Sequence, residues 1–186
     1  MVEVATRTLP LSGVHGGSSK VRLEPAAPAA RINLRVRAED VAALSAALGV
    51  DLPVRPKTSA SANGRTALWI GPDEWLVIAE GNTDIGSMLV AAAAKSGALH
   101  SATDVSHRNT AILVSGAGAA AAINTGCPQD LSLQAFPVGA CSRTIFGKVE
   151  IVLLRTAEDA FRVEVWRSFS DYAFGMLAEG ARDAAL

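Results

Sequence analysis

A repeated order of elements is the feature that most limits the folds open to this chain. The segments "LWIGPDEWLVIAEGNTDIGSMLVAA" (68–92) and "IVLLRTAEDAFRVEVWRSFSDYAFGML" (151–177) each predict an apolar strand, an acidic turn, a Trp-containing strand and an amphipathic helix. Hairpins joined to helices, with few long βαβ stretches, favour an α+β fold over a doubly wound parallel sheet. We therefore predict two ferredoxin-like α+β units of antiparallel strands with packed helices, residues 31–105 and 106–186.

In the first unit, alternating apolar residues predict a strand over 31–36, and helical spacing of Val41, Leu44 and Leu48 predicts a helix that stops at Gly49. The turn at 71–74 predicts a hairpin. A second helix should begin at a cap on Asn82 or Thr83 and end at Gly97.

In the second unit, the pattern predicts a strand at 110–114, a short helix at 117–124, three strands near 143–146, 148–155 and 160–166, and a long closing helix. Ser170 is the predicted N-cap of that helix, and Phe169 and Phe174 are placed as a hydrophobic staple across it. Residues 1–30, rich in Gly, Ser, Pro and Ala, predict an extended arm and no packed element.

Composition excludes several classes of function. A formal charge of −1, from 17 basic and 18 acidic residues, provides no field for nucleic acid or anionic lipid. Two cysteines fit neither a disulfide framework nor a structural zinc site, and no secretory signal or membrane span is evident, so a soluble cytoplasmic protein is expected. The hydrophobic content of 49% against 19% charged residues suggests surface covered by another protein.

Asp104, Ser106 and His107 lie within four residues and invite comparison with a hydrolase triad. A working triad is normally assembled from distant segments, and 104 and 106 face one side of a strand while 107 faces the other. We therefore expect a polar turn in which Asp or Ser bonds the backbone.

Three other motifs are weaker. Gly116-Ala117-Gly118 opens a helix as a dinucleotide fingerprint would, but no acidic residue follows at the required spacing, so close packing is preferred. Cys127 is expected to be a buried thiol rather than a nucleophile. His15, His100 and His107 have neither i, i+4 pairing nor a neighbouring Cys, so no metal site is predicted.

The tryptophans Trp69, Trp75 and Trp166 stand out in a chain with 5% aromatic residues. Trp166 shares a strand face with Arg162 and Glu164, so it is expected on a polar face beside Arg167. We predict that Trp75, Arg108, Trp166 and Arg167 belong to a protein interface, because Trp and Arg are common interface anchors. The alternative is that the Trp beside the Arg covers a loop. No catalytic, cofactor-binding or metal-binding residue is predicted.

The sequence as a whole resembles the gamma subunit family of heterotetrameric sarcosine oxidase. The resemblance is carried by "WIGPDEWLVI" (69–78), "DVSHR" (104–108), "TGCPQDL" (125–131), "FPVG" (136–139), "CSRT" (141–144) and "VEVWRSFSDYAFGML" (163–177), with "LPLSG" and "VRLEP" in the N-terminal region. Gln129, where an apolar residue is usual, and Ala117, where a Gly-Pro turn is usual, depart from the family pattern.

The resemblance implies a subunit of an enzyme that oxidatively demethylates sarcosine to glycine, with tetrahydrofolate and oxygen giving methylene-tetrahydrofolate and hydrogen peroxide. It implies a fold related to folate-binding aminomethyltransferases. FAD, FMN, NAD and folate are then expected on the larger alpha and beta subunits, with a small delta subunit completing the tetramer. The alternatives are a free-standing folate-dependent aminomethyl or tRNA-modifying protein, for which Asp104 is the candidate pterin ligand, and a Cys-dependent hydrolase.

Overall fold

The computed structural model describes residues 9–81 and 84–186. Its strands are β1 (Gly16–Gly17), β2 (Arg22–Pro25), β3 (Ala29–Val36), β4 (Ser59–Ala62), β5 (Arg65–Gly71), β6 (Glu74–Glu80), β7 (His100–Asp104), β8 (Asn109–Ser115), β9 (Cys141–Phe146), β10 (Val149–Ala157) and β11 (Ala160–Trp166). Its α-helices are α1 (Val41–Leu48), α2 (Ile85–Ser96), α3 (Ala119–Asn124) and α4 (Ser170–Asp183). Single 3-10 turns precede α1 and α4 at Ala38–Asp40 and Arg167–Phe169. No helix of the described segments is long and apolar enough to cross a membrane.

The strands form two sheets. The first sheet has the order β4-β5-β6-β3-β7, and the second has the order β1-β2-β8-β11-β10-β9. Every pairing between named neighbouring strands is antiparallel. The predicted α+β class with antiparallel strands is therefore confirmed.

Three groups of buried apolar residues hold these layers together. The first outer core joins the first sheet to α1 and α2, and the second outer core joins the second sheet to α3 and α4. The inner interface lies between the two sheets and has seven buried apolar members: Leu68, Leu76, Ile78, Val105, Cys141, Val152 and Leu154. Each sheet therefore buries one face against helices and the other against its counterpart.

The elements of the first sheet follow the sequence pattern. Val41, Leu44 and Leu48 are the buried residues of α1, and Gly49 ends it in the left-handed conformation with φ 62°. Asn82 and Thr83, the predicted caps of α2, lie outside the described residues. Asp84 is the cap that the structure provides, because its Oδ1 accepts a 3.0 Å hydrogen bond from the Ser87 backbone N–H.

The interpretation of residues 1–30 as an arm without packed elements is wrong for residues 16–25. Strand β2 pairs with β8 from Arg22 opposite Ser115 to Pro25 opposite Ile112, and Leu23 is 1% exposed within the second outer core. The four residues of β2 are too few to produce a clear alternation, and their partner strand lies far along the chain. The boundaries 31–105 and 106–186 as separate domains stay predictions.

The predicted start of α4 is also corrected. Phe169, not Ser170, occupies the N-cap position, and the Ser170 hydroxyl donates a 2.8 Å hydrogen bond to the Arg167 carbonyl. Phe169 is 40% exposed and stacks on Trp166, whereas Phe174 is buried in the second outer core, so the staple does not form as predicted. The 3-10 turn moves the helix start and turns Phe169 outward.

Candidate functional site

The Asp104-Ser106-His107 group forms the turn between β7 and β8. The Ser106 backbone N–H donates to Asp104 Oδ1 at 2.8 Å, and the Arg31 N–H donates to Ser106 Oγ at 2.8 Å. Hydrogen bonds from Ser106, by its hydroxyl and its backbone N–H, lower the pKa of the Asp104 carboxyl. Within the described part of the chain no hydrogen bond joins His107 to Ser106, so no activated nucleophile is assembled here.

The space beside the glycines at the start of α3 is filled by neighbouring parts of the chain. A Cβ built on Gly116, which has φ 110°, would lie 2.4 Å from the Lys20 carbonyl oxygen. A Cβ on Gly118 would lie 2.9 Å from the Val21 side chain and 3.1 Å from Ala184. The space that a dinucleotide phosphate needs against this turn is therefore filled by the chain itself, and a dinucleotide does not fit.

Both cysteines are free and buried. Cys127 is 2% exposed in the second outer core, as expected for a packing thiol. Cys141 donates to the Thr58 carbonyl at 3.2 Å, and burial raises the pKa of its thiol to about 12. A thiol held protonated in this way is a poor nucleophile, which removes Cys141 as a candidate for hydrolase chemistry.

The histidines do not converge. Among residues 9–81 and 84–186, no group of three or more His, Cys, Asp or Glu side chains is arranged to hold a metal ion.

Trp166 lies at the centre of an exposed cluster, as its position beside polar residues predicted. The Arg108 guanidinium carbon sits 5.0 Å from the centroid of the Trp166 ring, and Phe169 stacks on the same residue at a centroid distance of 6.0 Å. Trp166, Phe169 and Tyr172 are each 40% exposed and follow one another at spacings of three residues. We name these three side chains the aromatic row.

The aromatic row is unusual for this chain because the aromatic rings are otherwise buried or partly buried. The other aromatic residues are Trp69, Trp75, Phe136, Phe146, Phe161 and Phe174. Because these rings are less exposed, the aromatic row stands apart as accessible ring surface, which proteins use as binding anchors.

Trp75 does not belong to this surface. It is 1% exposed, packs in the first outer core, and donates its indole N–H to the Pro53 carbonyl at 2.8 Å. The predicted interface role is therefore wrong for Trp75, because a hairpin strand turns it towards α1 and α2. Arg108 and Arg167 do lie beside Trp166, where the Arg167 N–H donates to the Arg108 carbonyl at 2.7 Å.

Buried charges between the sheets were missed at the sequence level. Arg31 of β3 and Glu164 of β11 form a 2.6 Å ion pair, with side chains 3% and 1% exposed. Arg162 donates to the second carboxylate oxygen of Glu164 at 2.7 Å. The face of β11 interpreted as solvent-facing is in fact turned towards the first sheet, where the side chains of Glu164 and Arg162 are 1% and 18% exposed, whereas Trp166 at the end of the strand is 40% exposed.

The fold defines a class of protein. The chain superposes on aminomethyltransferase T of the glycine cleavage system from Bartonella henselae with a TM-score of 0.65 and 16% identity, over 88% of this chain and 49% of that one. This likeness establishes the two-sheet α+β fold that the sequence resemblance implied.

The particular family follows from closer matches. The model of the sarcosine oxidase, gamma subunit family matches residues 36–183, and the chain belongs to that family. It is 32% identical over 145 residues to sarcosine oxidase subunit gamma of an Arthrobacter species, which covers 77% of this chain and 70% of that relative. It also superposes on a chain of heterotetrameric sarcosine oxidase from Corynebacterium sp. U-96, in complex with pyrrole 2-carboxylate, with a TM-score of 0.84 and 27% identity over 92% of this chain and 89% of that one.

Proposed function

We propose that this chain is a non-catalytic subunit of a heterotetrameric sarcosine oxidase and that its role is to assemble and hold the complex. The family match supports the enzyme. The raised pKa of the buried Cys141 thiol is compatible with a structural role. The reaction is the oxidative demethylation of sarcosine to glycine. Its partners are the alpha and beta subunits and a small delta subunit.

The cofactors FAD, FMN, NAD and tetrahydrofolate are proposed to lie on the larger subunits. The filled space at Gly116 and Gly118 supports this for the dinucleotides, because this chain offers no phosphate cradle at the turn that most resembles one. The free buried cysteines are compatible with a reducing, cytoplasmic location.

The observation that carries the assembly role is the aromatic row with its neighbouring Arg108. An exposed Trp already held in place by an Arg and a Phe loses little conformational freedom when a partner covers it. Such rigid aromatic and Arg side chains dominate the binding energy of many interfaces. We therefore propose Trp166, Phe169, Tyr172, Arg108 and Arg167 as a surface that meets a larger subunit.

The experiment is co-purification of a tagged larger subunit with Trp166→Ala and Arg108→Ala variants of this chain. A central anchor should cost about 2 kcal/mol or more on truncation, which weakens association roughly thirtyfold. Sarcosine-dependent hydrogen peroxide production should fall in proportion to the complex recovered, with turnover per complex unchanged.

Val54→Ala is the matched control, because Val54 is 74% exposed and lies outside the aromatic row. Circular dichroism melts of each variant report folding separately. Recovery of Trp166→Ala equal to that of Val54→Ala would reject the proposed surface, and a large loss of turnover within intact complexes would reject the non-catalytic role.

A further inference from the structure

The turn between β4 and β5 is formed by Asn63 and Gly64, the one Asn-Gly pair in the sequence. Both residues have left-handed backbones, with φ 52° at Asn63 and 70° at Gly64, as a two-residue type I′ hairpin turn requires. Both are exposed, and a Cβ built on Gly64 would meet no atom within 4 Å. The pair therefore lies at a hairpin tip that is open to water.

An Asn followed by Gly can react with its own backbone. The nitrogen of the Gly attacks the side-chain amide carbon of the Asn, loses its proton and expels ammonia, which closes a five-membered cyclic imide. Water then opens either carbonyl of this imide, and the products are aspartate and isoaspartate. Gly favours the attack because it has no side chain to hinder the approach of its nitrogen. Water is the one further reactant, and no group is oxidised or reduced.

The side chain of Asn63 also supports the end of α1. Its Nδ2 donates to the Gly49 carbonyl at 2.8 Å, and Nη1 of Arg65 donates to the Leu48 carbonyl at 2.6 Å. Carbonyl groups at the C-terminal end of a helix lack partners within the helix and carry partial negative charge. The hairpin tip therefore caps α1, whose buried residues belong to the first outer core.

This capping hydrogen bond restrains the reaction of Asn63 only in part. The bond to Gly49 is exposed to solvent, and exposed hydrogen bonds at hairpin tips open locally without unfolding of the whole protein. Expulsion of Nδ2 as ammonia then removes the donor for good. The reactive amide of Asn63 is therefore also the group that holds the hairpin tip to α1.

We propose that Asn63 is a deamidation site and that its conversion releases the hairpin tip from the end of α1. Aspartate at this position has no N–H for the Gly49 carbonyl, and its negative charge attracts Arg65 away from Leu48. Isoaspartate also adds one carbon to the main chain, which disturbs the pairing of Ala62 with Arg65 across the turn. Both products deprive α1 of its capping contacts. This inference does not depend on the assembly role.

The first test is incubation of the full-length chain at mildly alkaline pH, followed by peptide mapping with mass spectrometry. The peptide that contains Asn63 should lose ammonia and then gain water, and its two products should separate by chromatography. Asn124 is the internal control, because its Nδ2 also donates to carbonyls, those of Cys127 and Gln129, but a β-branched Thr follows it. Asn63 should convert at least about tenfold faster than Asn124. Equal rates, or an unchanged Asn63, would refute the proposal.

Gly64→Ala tests the chemical route. The added Cβ lies in open space, so Asn63 keeps its position, although an Ala with a left-handed backbone makes the turn somewhat less stable. Conversion of Asn63 should slow at least about tenfold, because the methyl group hinders the approach of the backbone nitrogen. An unchanged rate would show that the backbone nitrogen is not the attacking group and would overturn the proposed route.

Asn63→Asp tests the consequence for α1. Hydrogen exchange of the α1 amides, measured by mass spectrometry, should become at least about threefold faster than in the unsubstituted chain. Ser61→Asp is the matched control, because it adds the same charge to the same hairpin at a side chain that contacts Thr66. Exchange in α1 should stay unchanged in that variant. If Asn63→Asp and Ser61→Asp had equal effects, the proposed link between Asn63 and α1 would be wrong.

Discussion

The outer cores and the inner interface of this molecule are built on different principles. Both outer cores consist of buried apolar side chains between a sheet and its helices. The inner interface has an apolar part around Leu76 and Val152 and a charged part around Arg31 and Glu164. Apolar contacts tolerate many relative placements of two layers, whereas an ion pair with specific partners tolerates few.

The charged part of the inner interface explains how the two sheets are held in one relative orientation and position. Arg31 comes from the first sheet, and both Glu164 and Arg162 come from the second. At the other end of the same interface, Glu74 of β6 pairs with Arg143 of β9 at 2.5 Å. We infer that the charges fix the relative position of the sheets, while the outer cores supply most of the apolar stabilisation.

The strongest way to break this arrangement is Glu164→Leu. It leaves Arg31 and Arg162 between the sheets without their carboxylate, which should lower the free energy of unfolding by about 3–5 kcal/mol. Urea unfolding followed by circular dichroism measures it. Glu150→Leu, on the neighbouring strand β10 with an exposed side chain, is the control and should change stability little. A loss below about 1 kcal/mol for Glu164→Leu would contradict the role assigned to the buried charges.

A somewhat smaller effect is expected in the second outer core from Leu23→Ala. Leu23 is 1% exposed on β2, so truncation should cost about 2–4 kcal/mol through lost burial and an unfilled cavity. Leu9→Ala, at a residue 39% exposed, should be nearly neutral in the same denaturation experiment. If the two substitutions behaved alike, the N-terminal segment would be the loosely attached arm that the sequence had suggested.

The smallest effect is expected at the rim of the inner interface from Arg143→Ala. Burial raises the pKa of Glu74, but hydrogen bonds from Asn33 and Arg143 outweigh this and leave it below the ordinary value. A lowered folded-state pKa contributes stability above the unfolded value of about 4.3, and this contribution is lost as pH falls through the folded value. Arg143→Ala should therefore cost up to about 1 kcal/mol at pH 7, and the difference should shrink below about pH 4.

The ion pair of Arg35 and Asp73 is the control for the Arg143–Glu74 pair, because its side chains are 57% and 52% exposed. Arg35→Ala should leave the urea midpoint unchanged at either pH. If the loss of unfolding free energy caused by Arg143→Ala stayed constant from pH 7 to pH 3, the packing of Arg143 would matter and its charge would not.

Much of the fold could be predicted from local sequence patterns. The helical spacing of Val41, Leu44 and Leu48 and the stop at Gly49 identify α1, because both signals lie within one short segment. Strand β2 could not be predicted in the same way. Its four residues include Pro25, and what stabilises it is pairing with β8, which no local pattern encodes.

Less of the candidate site could be predicted. Trp166 is exposed as expected, but because it lies at the end of β11 and not because its strand face is polar, since Glu164 on that face is buried. The expectation of an interface role was wrong for Trp75, whose strand has both faces buried. The partnership of Arg31 and Glu164 joins residues far apart in the chain, and each residue alone has the sequence appearance of a surface charge. A cavity beside Asp104 likewise depends on four separate segments meeting, which requires the tertiary structure.

The place of β2 in the second sheet has a consequence for the order in which the chain folds during synthesis. All strands of the first sheet lie in the continuous stretch 29–104, whereas the second sheet takes β2 from before that stretch and its remaining long strands from after it. All strands of the first sheet are therefore synthesised before β8 and α4, with which β2 packs. Pairing of β2 with such distant segments is slow because a long loop must close. The first sheet is thus an insertion within the second, and the last step of folding closes the two ends of the chain around it.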